Sequence, residues 1–140
     1  MRVAIREACR ADREAVVALW HDCGLTRPWN DPLEDFDRAE AFSGSTILLA
    51  EQDGVLAGTA MTGFDGHRGW IYYLGVAPER RRQGIARSLT DACADWLRQF
   101  NCPKLEIMLR DGNPAATLYE RLGWDLQPVR VYARRLDGVQ

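Results

Sequence analysis

The stretch GVAPERRRQGIARSLTDACADWL, residues 75–97, decides both the fold and the candidate site. It closes one strand, passes three arginines and Gly84, and enters a helix whose apolar residues share one face. A helix N-terminus presents unpaired N–H groups with partial positive charge, and a glycine at its entrance admits another molecule. The stretch therefore predicts a phosphate site at the helix start. A solvated turn is the alternative that this stretch alone leaves open.

Length and composition favour one globular domain over residues 1–140, because 46% of the residues are apolar and 27% are charged. Eighteen basic and twenty acidic residues give a net charge of −2, which argues against nucleic acid and anionic membranes as partners. The N-terminal residues lack the apolar run of a signal peptide, so we expect a cytoplasmic protein. The four cysteines form no C-x-x-C pair, and we expect no metal site.

The hydrophobic period changes along the chain and gives the order of the elements. Strand periods are expected in VAIREA (3–8), STILLAEQ (45–52), GVLAGTAMTGF (54–64), RGWIYYLGVA (68–77), KLEIMLR (104–110) and VRVYARRL (129–136). Helices are expected in residues 12–24, 33–42, 85–100 and 113–123. Asp12 is a candidate N-cap and Gly24 a stop for the first helix, and residues 25–32 read as a loop.

This order, β-α-α-β-β-β-α-β-α-β, predicts an α/β protein of the α+β mixed-sheet kind. A run of antiparallel hairpins is followed by a βαβ-type crossover, so most of the sheet should be antiparallel with helices on both faces. For the last helix, Asn113 fits the N-cap, Pro114 the first turn and Gly123 the residue after its end.

Two motifs carry a resemblance to a known family. LGVAPERRRQGIARSL (74–89) resembles motif A of the GCN5-related N-acetyltransferases (GNAT), Q/R-x-x-G-x-G/A, through Arg81, Gly84 and Ala86. NPAATLYERLGW (113–124) resembles their N-x-x-A-x-x-L-Y-x-x-x-G-F/Y/W segment, and residues 5–20 are similar to their first strand and helix. The resemblance covers nearly the whole chain and extends to the small bacterial YpeA-type acetyltransferases. It implies the GNAT fold and acetyl-CoA as co-substrate.

In that family the strand before motif A splays from its neighbour, and the pantetheine arm pairs with the exposed backbone. The resemblance places this role on Leu74, Gly75 and Val76. It places the cofactor's pyrophosphate on the main chain of the following loop and helix start, so the arginine side chains there matter less than their charge suggests. The remaining candidate cofactor residues are Arg81, Arg82, Gln83, Gly84, Ile85, Ala86, Arg87, Asn113 and Tyr119.

The resemblance makes Tyr119 the general acid that protonates the CoA thiolate, and a phenol with a pKa near 10 holds a proton for this purpose. The general base is not evident. Some ribosomal-protein N-terminal acetyltransferases carry a glutamate where this chain has Met108. Glu106 lies two residues earlier on the same strand face and is the candidate base, with a solvent-facing strand charge as the alternative. Other candidates for the base are Asp65, His67, Tyr72 and Asp31, although a lone histidine beside a turn is more often an ordinary surface residue. A water relay is a further alternative.

The loop RPWNDP (27–32) is the expected acceptor side of the site. Candidate acceptor-binding residues are Trp29, Asp31, Asp65 and Tyr72. The structural alternative for Trp29 is that it packs into the core. For the cofactor residue Asn113, the structural alternative is that it only caps the last helix. The expected activity is acetyl transfer to a primary amine of a small molecule or peptide, by direct attack in a ternary complex. A CoA-binding sensor without a working base is the competing function. A C-terminal edge strand would allow a homodimer.

Overall fold

A computed structural model describes residues 3–139 and divides the chain into two compact units at the Met108–Leu109 junction. The first unit holds most of the elements and the second holds one helix. The elements are β1 (Val3–Glu7), α1 (Arg13–Asp22), α2 (Pro32–Ala41), β2 (Ser45–Gln52), β3 (Val55–Phe64), β4 (Gly69–Val76), α3 (Ile85–Arg98), β5 (Leu105–Ile107) and α4 (Ala115–Arg121).

The first unit contains one five-stranded sheet in the order β1-β2-β3-β4-β5. The β1–β2, β2–β3 and β3–β4 pairs are antiparallel, and only β4–β5 is parallel. The mixed, mostly antiparallel sheet predicted from the sequence is therefore confirmed. Antiparallel neighbours need only tight turns, whereas the parallel β4–β5 pair needs the crossover that α3 supplies.

Helices cover both faces of this sheet, and two adjacent residues of β3 show it. A Cβ added at Gly58 would meet Leu89 and Ile85 of α3 at 3.0 and 3.1 Å. The next residue, Thr59, contacts Trp20 of α1 instead. Because neighbouring residues of a strand point to opposite faces, α3 lies on one face and α1 on the other.

The face under α1 and α2 holds a tightly packed apolar cluster. Its buried members are Val16, Val17, Trp20, Phe36, Ala39, Ile47 and Leu49. Helix α2 begins at Pro32 and is capped by Asp31, whose Oδ1 accepts hydrogen bonds from the amides of Leu33 (3.0 Å) and Glu34 (3.3 Å). This satisfies two of the amides that a helix start leaves unpaired.

The expected cap of α1 is wrong in one respect. Asp12 precedes α1, but its carboxylate makes no capping bond to that helix. It accepts instead from the Cys9 amide at 2.8 Å and from both terminal nitrogens of Arg6 at 2.8 Å. Gly24 does follow the helix end, with a φ of 68° that favours glycine.

Two expected strands differ from the structure. The strand expected over 104–110 forms only at Leu105–Ile107, where it pairs with Gly69–Ile71 of β4. Residues 129–136 form no strand, so the final β of the expected order is wrong. A strand needs a partner for its ladder, and residues 109–139 contain no other strand to supply one. Of the helices in residues 3–139, none has the length and apolar character of a membrane span.

Candidate active site

The start of α3 has no side-chain cap among residues 3–139. Gly84 precedes the helix in the left-handed region with φ 80°. The first turn carries no acidic residue, and the first intrahelical bond runs from the Ser88 amide to the Gly84 carbonyl at 3.0 Å. Arg82 is also left-handed, with φ 64°. Left-handed residues before a helix start turn successive N–H groups toward one point, which is a typical anion site.

Three polar side chains of the loop before α3, those of Arg80, Arg81 and Gln83, form hydrogen bonds within the protein. The buried Gln52 at the end of β2 accepts a hydrogen bond from Arg80 at 2.6 Å and donates one to the Gln83 side chain at 2.7 Å. Arg81 Nε donates to the Val76 carbonyl at 3.1 Å. These contacts fix the shape of the loop, and the expectation that its backbone matters more than its arginines stays a prediction.

β4 extends beyond its partner β5 at the C-terminal end. The two strands pair only at Gly69–Ile71, whereas β4 continues to Val76. On its other edge, β4 stays paired with β3, since Gly75 lies opposite Thr59 and the Ala77 amide donates to Ala57. Successive residues of a strand point their main-chain N–H and C=O groups alternately to its two edges. Because the groups of Gly75 face β3, the main-chain groups of Leu74 and Val76 face the open edge. The Val76 carbonyl already accepts from Arg81 and, at 3.4 Å, from the Cys23 thiol.

A bulge in β4 creates this geometry. Thr59 lies opposite Gly75 and Met61 opposite Tyr72, so the register shifts by one residue between them. Within the shift, Tyr73 has φ 51°, a left-handed conformation that an aromatic residue rarely adopts. The bulge reverses the pleat: an added Cβ at Gly69 would meet Leu97 of α3, whereas one at Gly75 would meet Cys23 on the opposite face.

The expected acceptor residues occupy the first unit in different ways. Asp31 caps α2 through Oδ1 only. Asp65 uses both carboxylate oxygens in its own turn, because it accepts from the amides of His67 and Arg68 and from Trp70 Nε1. These bonds, the Arg68 amide first, lower the pKa of Asp65. The side chains of Trp29 and Tyr72 are 39% and 44% exposed.

Glu106, the candidate base, lies on β5 opposite Trp70. Its Oε1 is 3.4 Å from Arg68 Nε and 3.9 Å from Lys104 Nζ. The Glu106 carboxylate is therefore engaged in two ion pairs on the sheet. The ion pairs therefore support the alternative of a strand-surface charge, and the role as base stays a prediction.

The second unit carries the other two motif residues. Asn113 Oδ1 accepts from the Ala115 amide at 2.9 Å and so satisfies one amide at the start of α4. The N-cap position itself is Pro114, one residue later than expected. Tyr119 is buried on α4, and its ring meets the Trp124 ring edge-on with centroids 5.6 Å apart. Gly123 follows the helix with φ 89°. The contribution of Asn113 and Tyr119 to cofactor binding and catalysis stays a prediction.

The combination of an uncapped helix start with an open strand edge beside it corresponds to a known family. The model of the acetyltransferase (GNAT) family matches residues 7–124. The chain belongs to this family. Acetyltransferase YE1169 of Yersinia enterocolitica is 41% identical over 133 residues, and the match covers 94% of each chain. The protein is accordingly an acetyltransferase with acetyl-CoA as its co-substrate.

Solved GNAT structures share the fold of this acetyltransferase. The structure of AAC(6')-Iy in complex with the bisubstrate analog CoA-S-monomethyl-acetylneamine has a TM-score of 0.83 at 19% identity, and covers 96% of this chain and 99% of that one. The ribosomal-protein-alanine N-acetyltransferase of Brucella melitensis biovar Abortus 2308 has a TM-score of 0.77 at 22% identity, with 96% and 100% covered. The likeness to the YpeA-type subgroup stays a prediction.

Sequence reasoning missed several residues that shape the site of this acetyltransferase. Gln52 holds the loop before α3 in place, and the contact between Thr59 and Tyr73 holds the bulge in β4. In its local pattern, each of the three reads as an ordinary strand residue. Only Gln52 gave a usable signal, as a polar residue at the end of an apolar strand. The partners of Thr59 and Tyr73 come from distant segments, so no local pattern could identify them.

Proposed function

We propose that this protein transfers the acetyl group of acetyl-CoA directly to a primary amine in a ternary complex, with residues 1–140 acting as one catalytic domain. The family match over residues 7–124 supports the single domain, because it runs across the junction of the two units. The amine attacks the thioester carbonyl carbon, the C–S bond breaks, the amine loses a proton and the CoA thiolate gains one. No covalent enzyme intermediate is required.

The uncapped start of α3 is the observation that carries the proposal. A diphosphate on the main chain of residues 82–87 would receive the N–H groups that the protein leaves unpaired, in line with the helix dipole. From there the pantetheine arm would run along the open edge of β4, where Leu74 and Val76 present main-chain groups. Gly75 would contribute by its small size, since its own backbone pairs with Thr59.

We assign the acid role to Tyr119, whose phenol would protonate the departing thiolate. Asn113 would contact the pantetheine region through the part of its amide that does not cap α4. For the base, Glu106 stays the candidate on the sheet, and a water relay to bulk solvent is the alternative because Arg68 and Lys104 hold the Glu106 carboxylate. A base that acts through water needs no dedicated side chain beside the amine.

The acceptor is a small molecule or a peptide that carries a primary amine. One structural neighbour is named an aminoglycoside N-acetyltransferase and another a ribosomal-protein-alanine N-acetyltransferase. The fold therefore admits small-molecule and protein acceptors. Among the candidate acceptor residues, Asp31 is favoured over Asp65 to hold an ammonium group. Asp31 caps α2 with one oxygen only, whereas both oxygens of Asp65 are used. Trp29 and Tyr72 would supply apolar contact. A cytoplasmic location is part of this proposal. The homodimer loses the edge strand on which its expectation rested, because residues 129–136 form no strand.

The first test measures CoA binding by calorimetry in wild type, Gly84→Asp and Gly84→Asn. A Cβ at Gly84 meets nothing within 4 Å, and both substituents tolerate the left-handed conformation, so the fold should hold in each. The aspartate places a carboxylate where the diphosphate should lie. We expect it to weaken CoA binding at least about 30-fold relative to the matched asparagine, a difference of about 2 kcal/mol between like charges in a partly desolvated site.

Wild type that fails to bind CoA would overturn the proposal, and so would equal affinity in the two Gly84 variants. A thiol-release assay with a panel of small amines, amino acids and peptides then identifies the acceptor. Acetyl-CoA turnover that no amine accelerates would instead support the CoA-binding sensor.

A further inference from the structure

The bulge in β4 is held by three other elements of the first unit. The Tyr73 ring stacks on the Trp20 ring of α1 with centroids 3.9 Å apart and planes inclined by 13°. Its hydroxyl donates to Asp35 Oδ2 of α2 at 2.6 Å. Its carbonyl accepts a hydrogen bond from the Thr59 hydroxyl of β3 at 3.1 Å. Ring, hydroxyl and carbonyl of one residue are therefore each fixed from a different direction.

These contacts maintain a conformation that the local sequence disfavours. An aromatic residue in the left-handed backbone conformation is strained, and it keeps this conformation only where several surrounding contacts hold it. Strain of this kind is found where a strand must re-aim its neighbours. In this chain the residues that follow the bulge are Leu74, Gly75 and Val76, the proposed edge for the pantetheine arm.

The hydroxyl contact differs from the other two because it joins β4 to α2 through a charge. Asp35 is 20% exposed and also accepts a hydrogen bond from Arg38 at 2.6 Å, so its carboxylate is held in place from a second side. Partial burial and then the Asp35 hydrogen bond raise the pKa of the Tyr73 phenol, which keeps it protonated as the donor. A hydrogen bond to a charged acceptor is stronger than one between neutral groups.

We propose that Tyr73 and Asp35 are a positioning pair for acetyl-CoA: their hydrogen bond ties α2 to the β4 bulge and sets the open edge of β4. Neither residue needs to touch the reacting atoms. The inference rests on the proposed function, because it concerns the strand edge that takes the pantetheine arm. Loss of the bond would let Tyr73 relax toward an extended conformation and would move the main-chain groups of Leu74 and Val76.

The test is a double-mutant cycle on CoA affinity, measured by calorimetry for wild type, Tyr73→Phe, Asp35→Asn and the double variant. Tyr73→Phe keeps the ring that stacks on Trp20 and removes only the donor. Each single variant should weaken CoA binding by about 10-fold, and the double variant should be no weaker than either single, since one charge-assisted bond is lost in all three. Asp35→Glu, which retains the carboxylate, should recover much of the loss.

Asp37→Asn is the matched control on the same helix. Asp37 pairs with Arg13 of α1 at 2.8 Å and has no contact with β4 among the hydrogen bonds and ion pairs of residues 3–139. Its loss should leave CoA affinity within about twofold of wild type, because this partly exposed ion pair makes no contact with β4. Thermal unfolding of every variant separates altered binding from lost structure, and the Asp35 series stands on its own if Tyr73→Phe does not fold.

The outcomes distinguish the two levels of inference. If wild type fails to bind CoA, the proposed function falls. If wild type binds CoA and the folded single variants bind it equally well, the positioning pair is refuted while the proposed function stands. Additive losses in the double variant, or an equal loss in Asp37→Asn, would also refute the pair.

Discussion

Thr59→Val should cost more stability than any other threonine-to-valine change in β3. The Thr59 side chain is fully buried, and its hydroxyl accepts from Trp20 Nε1 at 3.0 Å and donates to the Tyr73 carbonyl at 3.1 Å. Valine has nearly the same shape and a high strand propensity, so no cavity forms and the strand is not weakened. What is lost is the hydrogen-bond partner of the buried Trp20 N–H and of the partly buried Tyr73 carbonyl.

The magnitude follows from those two groups. Trp20 is fully buried and cannot turn its N–H to water. Each orphaned buried group costs about 1–3 kcal/mol, so the free energy of unfolding should fall by about 3 kcal/mol. That is a large share of the roughly 5–15 kcal/mol that stabilises a typical domain.

Thr62→Val is the matched control. Thr62 lies on the same strand, is equally buried, and donates to one carbonyl, that of Trp70, at 2.9 Å. It lies beside the Cys93 thiol, a weak partner. One orphaned group should cost about 1 kcal/mol. Urea unfolding monitored by tryptophan fluorescence measures both, with an unchanged m-value as the sign that only stability changed. A Thr59→Val loss no larger than that of Thr62→Val would refute the reasoning.

Two further predictions concern titratable groups. The Arg6 guanidinium and the Cys9 amide hold the pKa of Asp12 well below its usual range, so the stabilisation is present above about pH 4 and is lost as the pH falls below it. Asp12→Asn should reduce the acid-induced loss of unfolding free energy. The reduction should be at most about 1 kcal/mol, because the partial exposure of Arg6 weakens the ion pair. Equal acid sensitivity of the two proteins in urea titrations would contradict this prediction. Burial raises the pKa of Cys93 to about 12, so at about pH 8 a thiol reagent should label the exposed Cys9 and reach Cys93 only on unfolding. Labelling of Cys93 in the native protein at the rate of Cys9 would contradict this reading.

Local patterns predicted much of the fold. The β2 strand at 45–52, helix α2 near 33–42 and the α3 helix starting at Ile85 follow from hydrophobic period, turn residues and caps that act within a few positions. Gly84 before the start of α3 is likewise a local feature, and the phosphate site that it suggests stays a prediction. Expectations that needed a partner elsewhere in the chain were less secure. The alternating segment 129–136 forms no strand, since alternation alone supplies no ladder.

By itself the sequence determined the positions of four helices and of strands β1 to β4, together with the glycine that precedes α3. The tertiary structure alone decided that Tyr73 adopts a left-handed conformation and that β4 parts from β5 after Ile71. The physical reason is that this conformation is unfavourable locally and is stabilised by Trp20, Asp35 and Thr59, which lie on three other elements. Such a balance exists only once the chain has folded and those elements have met.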